Sequence, residues 1–323
     1  MASGSTVALS GGTTMTQVVT GDVIDDSDYN LMRQNIDRLF GGAQDVTLGT
    51  YTASSTYGWG QGGVGVSAVS AGEVVDATST NGFKDLQDDV QAMCAFLGVT
   101  VRTGVGTDVT SSDTITASTW SNTMLNIQDC WNNRFSPASR TAATDGSTSR
   151  TAAWTNTLTQ ETSFSFAGSE AACRAFFNGG GGVGVSASRS GGSSHDQNTQ
   201  WTNKLSAISD VFLFHDTTTG SAGTSAGIGF YELTTSYQQL LIYYGGASPY
   251  TSDYVKVEGR VNSVTNPSTV YIKITLLDAG DNVLDQNVDG SLVINARRTS
   301  PDANGSGFSF SNPSAAQGSI VGT

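Results

Sequence analysis

Charge is scarce in this chain. Charged residues fill 13% of its 323 positions, about half of the usual ~25%. Cations are the scarcer half, with 15 Lys+Arg against 28 Asp+Glu for a net charge of −13, and Arg297-Arg298 is their densest spot. Nucleic acid and anionic membrane surfaces both select clustered Lys and Arg, so neither is expected as a partner. Cysteine is limited to Cys94, Cys130 and Cys173, an odd and widely spaced set without a CxxC pair, which indicates neither a zinc site nor a redox dithiol. On buried helix faces such cysteines act as small hydrophobes, and synthesis in a reducing cytoplasm fits. No apolar run approaches the ~18 residues of a membrane span. The opening MASGSTVALSGG has neither the basic region nor the apolar core of a signal peptide.

Uncharged polar residues fill the space left by charge, and Gly alone accounts for 39 positions. Disorder usually combines low hydrophobicity with high charge and few aromatics, whereas this chain keeps 13 Phe, 10 Tyr and 5 Trp. A folded, strand-rich and turn-rich architecture follows. Its most distinctive stretch, GGVGVSA at 62–68, returns at 181–187, preceded by aromatic-glycine segments (YGWGQ and FFNGG) and followed by helical spacing in both places. A duplicated unit is the reading.

The expected fold class is α+β: two related αβ units followed by an antiparallel β-sandwich of jelly-roll or Ig-like type. Residues 1–24 form an N-terminal arm with one β-like stretch, Thr14–Ile24. The first αβ unit, 25–103, holds a helix capped by Asp26 or Ser27, with Tyr29, Met32, Ile36, Leu39 and Phe40 on one face. It continues through β-like runs at Asp45–Thr52 and Gly63–Val75, a helix over Asn81–Leu97 and a strand at Val99–Thr103. Phe83, Leu86, Val90, Met93 and Leu97 read either as core or as a short heptad seam. The second unit, 104–210, places helices at Ser118–Arg134, Ser169–Phe177 and Gln197–Ser209, an exposed loop at Ser136–Ala153 and a strand at Glu161–Phe166. From Val211 the period becomes 2, and seven short runs with turn signals predict the sandwich, 211–323, including a DAGDN hairpin at Asp278–Asn282 and a patternless tail after Thr299.

Candidate chemistry is thin. Both GGVGVSA copies fit GxGxxA, yet neither has the P-loop Lys nor opens a helix, so close backbone approach is the better reading of their glycines. The two histidines, His195 and His215, each precede an aspartate, but no GxSxG or HExxH pattern accompanies them. Asp22, Asp25, Asp26 and Asp28 lack the order of a calcium loop, and helix capping uses two of them. The acidic residues of the last third, Asp253, Glu258, Asp278, Asp281, Asp285 and Asp289, fall in turns or on solvent faces and are no paired-carboxylate site. Tyr243, Tyr244, Tyr250 and Tyr254 read either as a sugar-stacking or protein-contact surface or as core and turn residues. No catalytic, cofactor-binding or metal-binding residues are assigned, and no cofactor is expected.

The run RAFFNGGGGVGVSASRSGGSSHDQNTQWTNKLS (Arg174–Ser206), followed by GIGFYELTTSYQQL (Gly227–Leu240), resembles virion structural proteins of tailed bacteriophages, especially large cyanophages. The segment DYNLMRQNIDRLFG with YGWGQ is similar to the same group, and the resemblance spans roughly residues 25–245. It implies a non-enzymatic particle component present in many copies in the virion, and with the duplicated unit and the strand-rich last third the expectation is a tail, neck or fibre-like appendage protein. It also implies assembly with copies of itself, trimeric or higher, and with other virion proteins. The alternative is a host-surface glycan-binding module carried by the sandwich.

Overall fold

The computed structural model describes residues 4–7, 14–41, 58–62, 68–71, 73, 75, 82–110, 113–167, 169–279 and 286–322. The expected strand at Asp45–Thr52 lies outside the described residues, as do residues 63–67 of the first GGVGVSA copy and most of the DAGDN turn. The chain forms two compact units. One comprises 1–140, 178–180 and 301–310; the other comprises 141–177, 181–300 and 311–323. The main division falls at 140/141 rather than at 103/104 and 210/211, because strands from before residue 211 pair with those after it.

The first unit opens with a two-residue ribbon, β1 (Thr6–Val7) against β2 (Met15–Thr16), so only a fragment of the expected Thr14–Ile24 stretch is strand. Helices α1 (Asp26–Phe40), α2 (Phe83–Leu97) and α3 (Ala117–Asn132) pack together. Asp25, one residue before the expected caps, starts α1. Its carboxylate accepts from the Ser27 N–H at 3.0 Å and the Asp28 N–H at 3.2 Å, while Asp28 accepts from the Asp25 N–H at 3.2 Å. Such a capping box is worth about 0.5–2 kcal/mol. The apolar face of α1 and the 3-4 spaced set of α2 both meet Trp120, Met124, Ile127 and Trp131 of α3 in one buried cluster. The heptad-like spacing on α2 therefore serves this chain's own core.

The expected strand Val99–Thr103 is absent. The segment leaves α2 by a turn in which the Val99 N–H donates to the Cys94 carbonyl. Asn126 of α3 then serves its backbone, donating to the Thr100 carbonyl at 2.9 Å and accepting from the Arg102 N–H at 2.9 Å. A side-chain amide does the work of a neighbouring strand.

The second unit contains β3 (Arg140–Arg150), β4 (Asn156–Ser165), α4 (Glu170–Asn178), β5 (Gly182–Ser190) and α5 (Asp196–Ile208). It continues with β6 (Val211–Leu213), β7 (Thr218–Thr219), β8 (Thr224–Ser225), β9 (Gln238–Tyr243), β10 (Tyr254–Val261) and β11 (Thr269–Asp278). β12 (Ser291–Pro301), β13 (Ser314–Gln317) and β14 (Val321–Gly322) complete it. One sheet runs β13-β4-β11-β10-β9-β8 with β14 also on β4, and the other runs β3-β12-β5-β6-β7. The class is α+β.

Both sheets line one apolar core. On β10 the alternation is regular: Val255, Val257 and Val261 point inward, while Lys256, Glu258 and Arg260 are half-buried on the other face. Val183 and Val185 of β5 and Ile294 and Ala296 of β12 contribute from the second sheet. Two helices attach at opposite ends of the β4–β11 pair. α4 stacks Phe177 on Phe230 at 4.1 Å and sets Phe176 5.3 Å from Phe166, beside the Ser165↔Thr269 end. α5 lies along β5 and reaches Asp278, which pairs with Asn156 at the far end.

Three expectations fail in this unit. The polar stretch Ser136–Ala153 contains β3, an eleven-residue strand that no apolar alternation announces. GIGFYEL holds a 3-10 turn, Phe230–Glu232, whose Glu232 accepts from the Gly229 N–H at 2.7 Å, so local capping replaces a strand. The stretch after Thr299 is no tail, since β13 and β14 add to β4 while Phe308 is buried in the helical cluster of the first unit.

Candidate functional site

The glycine-rich copy that the structure describes is the middle strand of its sheet. β5 pairs Val183 with Leu213 and Val185 with Val211 of β6, and runs along β12 on its other side. A Cβ on Gly184 would lie 1.8 Å from the Val211 carbonyl oxygen. Close strand approach is what this glycine provides.

His195 is the N-cap of α5. Its Nδ1 accepts from the Asn198 N–H at 3.3 Å, which leaves the ring proton on Nε2, 4.0 Å from Asp289. The Ser193 hydroxyl donates to Asp289 at 2.7 Å. Asp289 also accepts from the Ser193 N–H, from the Asn198 amide and from Arg189, whose side chain is 4% exposed. These donors, the Ser193 hydroxyl first, hold the Asp289 carboxyl well below the usual carboxylate range. Serine and histidine each serve the loop and not one another, so no nucleophile–base pair forms. His215 stands apart from this loop, its ring 4.8 Å from that of Tyr231.

In the acidic cluster, Asp22 accepts from the Val19 N–H at 2.8 Å, and Asp25 and Asp28 cap α1. Among the described residues no group of three or more His, Cys, Asp or Glu side chains gathers as a metal site.

The four tyrosines separate by depth. Tyr244 is 53% exposed, and its ring meets that of Tyr254 edge-on at 5.5 Å. Tyr243, at the end of β9, packs partly buried on the core, and its phenol crosses Gly245 so closely that a Cβ there would lie 1.9 Å away. Tyr250 is buried and supports the loop from below. The surface candidate therefore reduces to Tyr244 and Tyr254.

Beneath this loop lies a feature that period and motif do not announce. Lys204 of α5 has a fully buried side chain, and its ammonium donates to the Asp253 carbonyl at 2.7 Å and stands 4.0 Å from the Asp253 carboxylate. Asp253 accepts from the Ala279 N–H at 2.9 Å, and Asp278 accepts from the Gln197 amide at 2.6 Å. Gln200 accepts from the Ala247 N–H at 3.3 Å. Burial pushes the Lys204 ammonium down to about 8, against the opposing pull of Asp253 and Asp278. Asp253 and Asp278 are thus buried, and not on turns or solvent faces as their sequence context implies. The cluster fastens α5 to one end of the β10–β11 pair, where Asp253 and Asp278 lie side by side. Asp281 and Asp285 lie outside the described residues.

The outer face of the larger sheet carries a second surface. Glu258 stands 3.2 Å from Lys256 and 2.9 Å from Lys273. Arg260 lies 3.7 Å over the Tyr271 ring and 5.1 Å from that of Tyr237, and Lys273 lies 4.1 Å from the Tyr237 ring. Three of the chain's 15 cations meet here beside Tyr237 and Tyr271.

Compared with known proteins, the chain matches no family model, no curated protein and no solved structure. Among the described residues no helix is long and apolar enough to cross a membrane. Function rests on the surfaces themselves.

Proposed function

We propose that the chain is a non-enzymatic structural component of a phage particle, in a tail, neck or fibre-like appendage, and that it acts by homo-oligomeric assembly. The carrying observation is β3. This strand is outermost in its sheet, eleven residues long, and every side chain on it is exposed or half-buried. Monomeric proteins blunt such edges with prolines, lysines, bulges or short strands. β3 reads RTAATDGSTSR, with neither proline nor lysine. An outermost strand of this length suits pairing with a neighbouring protomer. The resemblance to tailed-phage virion proteins supports the same reading. So do the two antiparallel sheets around one core, which we read as a sandwich of jelly-roll or Ig-like type that takes in β3, β4 and β5 of the second of two related αβ units.

Sedimentation over a concentration series, with mass spectrometry and immunogold labelling of purified particles, tests the proposal. Ser147→Lys with Ser149→Lys adds charge to the edge and is expected to shift the wild-type oligomer to monomer. A wild type that stays monomeric at every concentration and is absent from particles overturns it.

The pair of exposed Tyr244 and half-buried Tyr254 favours a second reading, in which the loop between β9 and β10 holds a host-surface glycan by ring stacking. Tyr244→Ala is then expected to abolish retention on a glycan array while changing stability by less than about 0.5 kcal/mol. Equal retention by wild type and variant removes this reading.

A further inference from the structure

Cys94 and Cys130 are 36 positions apart, and the sequence gives no reason to pair them. The packing of α2 on α3 brings their sulfurs to 3.7 Å, with both side chains fully buried in the helical core. Cys173 lies on α4 and belongs to the other cluster. An open hollow of about 470 Å³, lined by Leu97, Gly98, Arg102, Asp129 and Asn133, lies at this end of the two helices. Asp129 adjoins Cys130, and the Cys94 carbonyl receives the Val99 N–H. Arg102 clasps Asp129 at 2.7 Å and fixes the turn against α3. The two thiols thus face one another across a rigid contact, near a solvent-reaching recess.

We propose that Cys94 and Cys130 form a redox-controlled crosslink between α2 and α3. A bonded pair needs the sulfurs at about 2.05 Å, so closure requires roughly 1.7 Å of approach, within reach of small side-chain rotations. The hydrogen bond from Cys130 holds the Cys94 thiol below its ordinary value, while Cys130 is pushed well above its own by that same contact and by burial. Cys94 is taken as the attacking sulfur, and exchange of the two roles gives the same product.

The oxidant is a small-molecule disulfide such as glutathione disulfide. The Cys94 thiolate attacks one of its sulfurs, the S–S bond breaks, and one thiolate leaves and is protonated. Cys130 then loses its proton and attacks the Cys94 sulfur, expelling the second thiol. One protein disulfide and two small thiols result, and two electrons pass from the cysteines to the oxidant. The pair remains a dithiol in a reducing cytoplasm and closes in oxidising surroundings. The chemistry does not depend on the particle reading.

The test uses the full chain carrying Cys173→Ala, which removes the lone thiol and leaves the pair. Reduced protein is refolded in buffers of rising glutathione disulfide content, so that burial is no kinetic barrier. The expected product is monomer-mass protein lacking two hydrogens, with the Cys94 and Cys130 peptides joined. Its unfolding constant should be roughly 10²–10³-fold smaller than that of the reduced form, as loop closure on this scale implies. Two titratable thiols remaining in disulfide-rich buffer, or glutathione adducts and inter-chain links in place of the internal bond, overturn the proposal. Peptide mapping of oxidised wild type gives the same answer if the Cys173→Ala chain does not fold.

Discussion

Both units bury charge, Arg33 and Asp37 in the helical one and Lys204, Asp253 and Asp278 in the other, but they serve the joins between their elements by different means. In the helical unit most backbone groups are satisfied within helices, and the joining segments receive neutral amides. Asn126 bonds both Thr100 and Arg102, and Gln87 donates to the Gly104 carbonyl at 2.8 Å. In the sheet unit the strands satisfy one another sideways, but the ends of the two layers must be closed. Lys204, Asp253, Asp278 and Arg189, all nearly without exposure, do this on one side. Neutral amides cost little to bury once bonded, whereas buried ions cost far more to desolvate and depend on every partner they have.

The sheet unit should accordingly be the easier to break by one substitution. Gly184→Ala carries the largest expected effect. Its methyl would overlap the Val211 carbonyl in the middle of the smaller sheet, so β6 must shift away from β5. We expect a loss above about 3 kcal/mol, comparable to severe overpacking. Equilibrium urea unfolding followed by tryptophan fluorescence measures it. A change below about 1 kcal/mol would show that β6 yields freely.

Lys204→Met comes next. It keeps much of the side-chain volume but leaves two buried carboxylates without their cation. A destabilisation of about 3–5 kcal/mol is expected at neutral pH, the usual cost of breaking a buried pair. The pH dependence has a definite sign. The folded Lys204 titrates near 8 and its ordinary value is 10.5, so between these the unfolded chain holds more protons. The contribution of Lys204 to stability therefore rises with pH across that window, as the buried charge is relieved. In Lys204→Met this rise should vanish.

The helical unit was the more legible from sequence, for a physical reason. Each helix of this unit carries its period on one face, and Tyr29, Met32 and Ile36, or Phe83, Leu86 and Val90, reach the core as their spacing implies. The last third likewise shows its strands wherever one face is buried, as in Tyr254–Val261. β3 is invisible because neither of its faces is fully buried, so nothing selects alternation. The tail after Thr299 is equally hard to read, since Phe308 and Phe310 are isolated aromatics whose partners Phe40 and Phe96 are far away in sequence. The candidate site was half legible. Four tyrosines marked the loop, but depth separates Tyr244 from Tyr250, and nothing local in the sequence sets Lys204 apart from a solvated helix lysine. Long-range juxtaposition, which also pairs Cys94 with Cys130, leaves no local pattern.

The smallest effect sharpens the contrast from the helical side. Asp89 on α2 has one buried carboxylate oxygen without a hydrogen-bond partner and shares its surroundings with Asp85, Asp88 and Asp37. Burial first, and these neighbours second, push its carboxyl up to about 7 from an ordinary 3.8. Between those values the folded chain holds more protons than the unfolded one, so stability falls as pH rises, opposite in sign to the slope from Lys204. Asp89→Asn removes the charge and is expected to stabilise the protein by about 1 kcal/mol at pH 7, at the low end of what such a shift implies. It should also flatten the decline between pH 4 and 7 while leaving the alkaline rise in place. Thermal unfolding of wild type and variant across both windows measures the two slopes together. An Asp89→Asn chain that keeps the acidic-side decline would mean that another carboxylate carries it, and that the helical core tolerates its unpaired oxygen at no cost.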